Sequence, residues 1–440
     1  MIGANIRAQI SLLKNLNLNL KLYFGAFAIY SLVQTPFYIA TLFLVYVWGG
    51  TDIDVGLIFG TTSLVGIIGL IVSGILSDRW RRDAFIWISN FLFIAGMIIY
   101  FFANSLTYLY VIQFLFALAN SLMMPAGSAL VADCTTKGTR TKIFTIMSII
   151  QQLCTAIGGV VGFFIYRYLG DLYSEEVILP VIKIYASVII FAAFLGFFIH
   201  DKRSIHSKGQ IETKEILEEK KKDALILSKY KNCKTFREKL SFYRTPLIIV
   251  LADFLIAFGA GISIPFLPRF FEAIYGRTIS ELTLIFSLAP LITAILSAIA
   301  LRFAKKFGRA KAVFFLEFIA VVLIFGFAFI PPFSVVLVIY ILRQAFMNAG
   351  WPLINAIVMD LLPSSQRATF SAIDALAFTA FNSISQPIGG VILNKYDKPF
   401  NFQLAFYITG SIYFIGTFFL LFIKEGNYET EEVENLRTEE

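Results

Sequence analysis

The sequence predicts an all-α polytopic membrane protein of twelve transmembrane helices in two pseudo-symmetric six-helix bundles, and three observations predict it. Of its 440 residues, 58% are hydrophobic and only 15% charged, with a mean hydropathy of +0.76. A soluble domain must turn a fair share of its residues to water and cannot hide that much apolar surface. Apolar runs of about 20 residues, each long enough to cross the hydrocarbon, follow one another along the chain. Finally, Pro125, Asp133 and Arg140 recur as Pro352, Asp360 and Arg367, and Gly162 recurs as Gly389, always 227 residues later. A second half that repeats the first belongs above all to secondary transporters, whose halves rock about a central site.

The runs fall at 24–47, 55–76, 84–103, 106–132, 142–166 and 180–199, then at 246–275, 281–303, 311–331, 333–360, 368–393 and 402–423. Residues 1–200 thus form the first bundle and 244–424 the second. Between them, 201–243 is polar and contains K-E-I-L-E-E-K-K-K-D, whose Glu-to-Lys spacing suits a solvated helix in a cytoplasmic connector. The acidic tail, 425–440, has too little apolar surface to offset its chain entropy and is expected to be disordered.

A net charge of +8 invites a nucleic-acid reading, but the distribution argues against it. Lys and Arg gather at alternate ends of the spans: Arg79, Arg81 and Arg82; Lys137, Arg140 and Lys142; the central loop; Arg302, Lys305, Lys306, Arg309 and Lys311. The opposite loops around 48–54, 104–106 and 331–333 carry none, although Arg167, Arg277, Lys395 and Lys398 dilute the bias. Basic residues mark the cytoplasmic side, so a plasma-membrane protein with both termini in the cytoplasm is expected, without a nucleic-acid partner. The first apolar run is too long for a signal h-region and lacks a small-residue cleavage pattern. The three cysteines, Cys134, Cys154 and Cys233, are scattered, which argues against a disulfide framework. Both histidines, His200 and His206, fall in the central loop, so no metal or cofactor is implied.

Span 2 ends in G-I-L-S-D-R-W-R-R, residues 74–82, followed by Asp83. A stop-transfer run explains the arginines but not an Asp four residues after a helix-packing Gly. With the repeat, the segment resembles the cytoplasmic loop signature of the major facilitator superfamily, G-x-L-a-D-R-x-G-R-R. Gly74, Leu76, Asp78, Arg79 and Arg82 match, while Arg81 replaces the second Gly and Asp83 the final Arg. The second-half loop L-R-F-A-K-K-F-G-R-A-K keeps Gly308 and Arg309 but has Lys305 at the Asp position. The resemblance covers residues 20–424 and implies a gate in which Asp78 caps the start of helix 11 and Arg82 pairs with Asp133. Helix starts offer unpaired N–H groups and a positive dipole end to such a carboxylate. Arg140 and Arg367, opposite Asp133 and Asp360, complete the expected latch. Proton-driven antiporters of the family carry G-P-x-x-G-G in span 5; here Gly158, Gly159 and Gly162 stand without the proline, while Pro387 survives in span 11. Gln113 stands where many drug exporters of the family have a membrane-embedded Arg.

Polar residues inside spans point to a substrate path. Tyr30, Gln34, Tyr38 and Thr41 share one face of span 1, and Gln344, Asn348, Trp351 and Asn355 one face of span 10, beside Arg343. Span 4 adds Gln113 and Asn120; span 5 adds Ser148, Gln152 and Thr155; span 11 adds Asp374, Asn382 and Ser385. Any one of them is as well explained by an interhelical hydrogen bond, but stripes on five spans favour a hydrated cavity. The candidate binding set is Tyr30, Gln34, Tyr38, Asn120, Gln152, Arg343, Asn348, Trp351 and Asn382, with Arg343 expected to face the cavity. Asp253 and Asp374 are candidates for proton coupling, and Arg269 and Glu272 for a structural pair at the outer end of span 7.

The expected function is secondary transport of a small organic solute, with efflux favoured and a proton or sodium ion as the candidate coupling ion. Uptake of a sugar or organic acid, or a non-transporting membrane sensor, are the alternatives, and a monomer is expected. The chain has no H-E-x-x-H, G-x-S-x-G or G-K-[ST] set that would support an enzyme.

Overall fold

A computed structural model of the chain describes residues 18–77, 82–133, 137–199, 243–362 and 364–423. These residues contain twelve helical segments long and apolar enough to cross a membrane. In the first half they are α1 (Leu18–Val47), α2 (Asp52–Ser77), α3 (Arg82–Phe102), α4 (Leu106–Asp133), α5 (Lys137–Tyr168) and α6 (Glu175–Gly196). The second half has α7a (Arg244–Ser263) and α7b (Leu267–Tyr275), α8 (Ile279–Phe307), α9 (Arg309–Ala328), α10a (Phe333–Ala349) and α10b (Trp351–Leu361), α11 (Ser364–Lys395) and α12 (Phe400–Phe419).

The repeat seen in single residues extends to the helix boundaries. Helices α2 and α4 begin at Asp52 and Leu106, and α8 and α10a begin 227 residues later, at Ile279 and Phe333. Helices α5 and α11 also end in register, at Tyr168 and Lys395.

Two spans expected to be continuous are broken. Span 7 is interrupted by a 3₁₀ turn, Ile264–Phe266, because Pro265 and Pro268 cannot donate the backbone bonds that an α-helix needs there. Span 10 breaks at Gly350, just before Pro352 at the start of α10b. Its counterpart Pro125 leaves α4 continuous through Asp133. A proline in the first turn is tolerated while the preceding chain bends away.

The end bearing the 48–51, 169–174, 276–278 and 396–399 connections is called the far end, and the opposite one the termini end. Toward the far end a single apolar core runs through both bundles, from Phe43 and Tyr100 to Phe270 and Phe406. Phe270 is wholly buried, with ring centroids 4.9 Å from Phe406 and 5.4 Å from Phe402. Toward the termini end the core divides. One cluster, with Tyr23, Phe24 and Leu122, belongs to the first bundle, and another, with Ile249, Val313 and Leu353, to the second. Among the described residues, the halves are therefore fused at one end and packed as separate clusters at the other.

Candidate functional site

Where the fused core gives way to the divided one, a cavity of about 520 Å³ lies between the bundles. Helix α1 supplies Tyr30, Gln34, Tyr38 and Thr41 of the one-face stripe to its wall, together with Thr35. Gln113 and Asn120 come from α4, and Gln151, Gln152 and Thr155 from α5. The second bundle contributes Phe286 and Pro290 of α8 and Tyr340 and Gln344 of α10a. Rings frame the space: Tyr38 lies 5.3 Å from Phe59, Tyr30 lies 6.0 Å from Phe93, and Phe286 lies 4.8 Å from Tyr340.

The candidate set thus divides. Tyr30, Gln34, Tyr38, Asn120 and Gln152 line the cavity, and the other four do not. Asn382 Nδ2 donates to the Ala257 carbonyl at 3.1 Å and its Oδ1 accepts from Gln386 at 2.6 Å, so it joins α11 to α7a. Asn348 is exposed and donates back to the Gln344 carbonyl, and Trp351 is 61% exposed beyond the α10 break. Arg343 departs furthest from expectation. It is 3% exposed, but Nη2 donates to the Tyr413 hydroxyl at 2.7 Å and Nη1 to Gln344 Oε1 at 2.9 Å. Its guanidinium carbon lies 5.4 Å from the Tyr413 ring centroid. The guanidinium turns behind the wall toward α12 because a phenol offers both an acceptor and a π-face there.

Buried acids form a second locus inside the second bundle. Asp253 of α7a, 7% exposed, faces the Asp374 carboxyl of α11. Glu317 on α9, 3% exposed, accepts from Thr417 at 3.4 Å. The sequence reading did not single out Glu317, although it is the one acid within span 9. An intramembrane carboxylate is itself such a signal.

Two seams seal the far end across the bundles. On α5, a methyl group added at Gly159 would lie 2.0 Å from Ser287 Cβ and 2.9 Å from the Thr283 carbonyl of α8. On α2, one added at Gly56 would lie 2.6 Å from the Gln386 carbonyl of α11. The 227-residue offset turns Gly159 and Thr283 into Gln386 and Gly56, so the seams are images of each other. Beyond them, Asp171 accepts from the Ser280 backbone N–H at 2.8 Å and hydroxyl at 2.6 Å, in the first turn of α8. The Tyr173 hydroxyl donates to the Arg277 carbonyl. Burial, with the Glu272, Asp171 and Glu281 carboxylates nearby, pushes that hydroxyl above its ordinary range and keeps it a donor. Arg269 pairs with Glu272, as expected, and stacks over the Tyr46 ring of the other bundle at 4.5 Å.

Of the expected latch residues, Asp78 and Arg79 lie outside the described residues. Gly74 falls in the last turns of α2, Arg82 starts α3, Asp133 ends α4, Arg140 and Arg367 lie in the first turns of α5 and α11, and Asp360 lies near the end of α10b. All therefore sit at the termini end; their side-chain placement lies outside what the structure describes.

Two repeated membrane bundles around a central cavity define a polytopic membrane transporter. The sequence pattern of the Major Facilitator Superfamily matches residues 22–252 and again 249–438, and the chain belongs to that superfamily. An uncharacterised MFS-type transporter of Bacillus subtilis (YqjV) is 28% identical over 123 residues, 28% of this chain and 30% of the relative. Another from Methanocaldococcus jannaschii is 25% identical over 139 residues, 31% of this chain and 35% of the relative. The alignments thus span about a third of these relatives. Among solved structures, a bacterial homologue of the human lysosomal transporter Spinster, in an inward-facing unoccupied conformation, superposes with a TM-score of 0.69 at 14% identity. It matches over 92% of this chain and 96% of that one. The nucleoside transporter NupG gives 0.67 at 13% identity, over 92% and 100%. At such identities these structures share the fold.

Proposed function

We propose that the chain is a secondary active transporter that moves a small organic solute by alternating access, with the central cavity as its binding site. The observation that carries this reading is the cavity's position, at the level where one apolar core shared by both bundles divides into two. A solute held there is shut off by the far-end seams and has its route toward the termini end. The basic loops favour cytoplasmic termini and a plasma-membrane orientation. On that orientation this state loads from the cytoplasm, and efflux is the direction we favour. The fold contains both rocking halves in one chain, so a monomer suffices.

Asp253 and Asp374 are the proposed coupling groups. Two carboxyls that face each other away from water repel when both are ionised, so such a pair is suited to taking up and releasing a proton. Their counterparts 227 residues earlier are Ala26 and Met147, and those of Glu317 and Arg343 are Asn90 and Phe116. The first bundle thus builds the related helices without these charges, which argues that function rather than packing keeps them. At the termini end, the family resemblance assigns the latch to Gly74, Asp78, Arg79, Arg82, Asp133, Arg140, Asp360 and Arg367.

The test is a screen of radiolabelled metabolites and drug-like solutes in proteoliposomes under an imposed proton or sodium gradient. Accumulation driven by the proton gradient supports the whole reading, and sodium-driven accumulation would reassign the ion. Binding without flux under either gradient would favour a sensor and sink the transporter.

A further inference from the structure

We propose that the central cavity selects an uncharged, ring-bearing solute of amphipathic character and discriminates against ions of either sign. This rests on the transporter reading above and names the substrate class of that same site.

The first argument is the partition of charge. Among the described residues, no Asp, Glu, Lys, Arg or His lines the cavity. Among those residues the chain does bury ionisable groups, Asp83 in the first bundle and Asp253, Glu317 and Arg343 in the second, but all of them stay off the wall. An ion entering the cavity would shed water and find no countercharge, and burying a charge is costly unless it is paired.

The second argument is the state of the amides. Among the described residues, the side chains of Gln34 and Thr35 on α1, and of Gln151, Gln152 and Thr155 on α5, have no hydrogen-bond partner. Other wall amides are engaged, since Asn120 donates to the Phe116 carbonyl and Gln344 accepts from Arg343. Gln34 is exposed and Gln151 and Gln152 are half-buried on the open wall, so the α1 and α5 amides are the part of the wall free to meet a ligand. Each carboxamide offers donors and an acceptor, a set that matches hydroxyl, carbonyl or amide groups.

The third argument is shape. Ring pairs from both bundles, Tyr38 with Phe59 and Phe286 with Tyr340, face the space and offer apolar faces to a planar group. Their π-faces also attract cations, which makes an organic cation the strongest rival. The volume of about 520 Å³ lies within the usual range for small-molecule sites.

The test uses the full chain in nanodiscs and matched triads of one ring scaffold: naphthylacetamide, naphthylacetate and naphthylethylammonium, with the corresponding indolyl and phenyl sets. Ligand-induced thermal shifts should appear with the acetamides, and half-saturation for the charged partners should be about tenfold weaker or worse. Gln152→Leu should weaken acetamide binding about tenfold, and Gln152→Glu should move the preference toward the ammonium compounds. Binding by wild type that favours acetate or ammonium members, or a panel without an uncharged binder, overturns the proposal. Counterflow of a bound acetamide in proteoliposomes separates the two readings. Binding without exchange retires the transporter and keeps the ligand class, whereas exchange of a charged member does the reverse.

Discussion

The Tyr38 hydroxyl donates to the Pro265 carbonyl at 3.1 Å, and the two residues are 227 positions apart. They are therefore the same position in the two repeats, and an element that bonds its own image lies at the axis relating the halves. The bond has a local cause. Pro265 sits in the 3₁₀ turn that breaks span 7, where its carbonyl can serve a partner outside the helix. Tyr38 also lines the cavity, so one side chain joins the binding site to the closure of the far end.

Tyr38→Phe keeps the ring and removes this bond. One buried hydrogen bond contributes about 1 kcal/mol, so the balance between far-end-closed and far-end-open states should move about fivefold toward open. Spin-label distances between Tyr168 and Tyr396, at the far ends of the two halves, measure that balance. An unchanged distance distribution would reduce the bond to a local contact.

The seams allow a larger displacement. Gly159→Val places a side chain where Ser287 Cβ already lies, and that atom is too close to the backbone to swing away. Helices α5 and α8 must separate, and the population should move predominantly to the far-end-open state, with the protein still inserted. Accessibility of a cysteine at Thr283 to a membrane-impermeant thiol reagent reports the change. Labelling no faster than in the Gly159 parent would show that the seam does not govern opening.

Much of this was legible in the sequence, and the reasons for the remainder are physical. The offset of 227 foretold helix boundaries because related bundles bury the same faces, and period-based spacing placed Tyr30, Gln34 and Tyr38 on the wall. The same spacing misled at Trp351, which lies beyond the break at Gly350, while Asn348 folds back onto the Gln344 carbonyl. Asn382 and Arg343 escaped for another reason. Depth in a span shows that a polar group must be satisfied, whereas which neighbour satisfies it depends on packing across helices distant in sequence, here Ala257 and Tyr413.

Asp171 is a third lever on the far end. It occupies a left-handed backbone conformation, φ 55°, and its carboxylate caps the start of α8 from the other bundle. Asn tolerates that conformation, so Asp171→Asn isolates the loss of charge from backbone strain. A hydrogen bond to a charged group is worth about 1.5–3 kcal/mol, and the far end should open more often. If Asp171→Asn and wild type give the same Tyr168–Tyr396 distances, the cap is ornamental to gating.

The acid pair predicts a split between two kinds of flux. Asp253→Asn and Asp374→Asn each retain a polar amide while removing a titrating group. Gradient-driven accumulation should fall by at least about tenfold, whereas counterflow, which needs no net ion movement, should persist. Glu317→Gln distinguishes the pair from its neighbour and should affect accumulation less, because Glu317 is bonded to Thr417 rather than to the pair. Equal loss of both fluxes in the Asp variants would mean that the carboxyls serve folding or solute binding.

Arg343 then acts on the cavity through Gln344. Because its Nη1 is a donor, the Gln344 atom that meets it must be the carbonyl oxygen, which turns the Gln344 NH₂ away from the arginine. Gln344 is on the wall, so the arginine holds it as a donor toward the solute. Arg343→Lys retains charge but not the two-pronged fork that reaches Gln344 and Tyr413 together. It should lower stability by about 1–2 kcal/mol and weaken solute binding severalfold, without reversing the charge preference. A double-mutant cycle with Gln344→Leu tests the positioning role. If Arg343 works through Gln344, the second substitution adds little to the binding defect of the first. Strictly additive effects on affinity would separate the two residues and leave Arg343 as a helix-packing group that braces α10a against Tyr413 of α12.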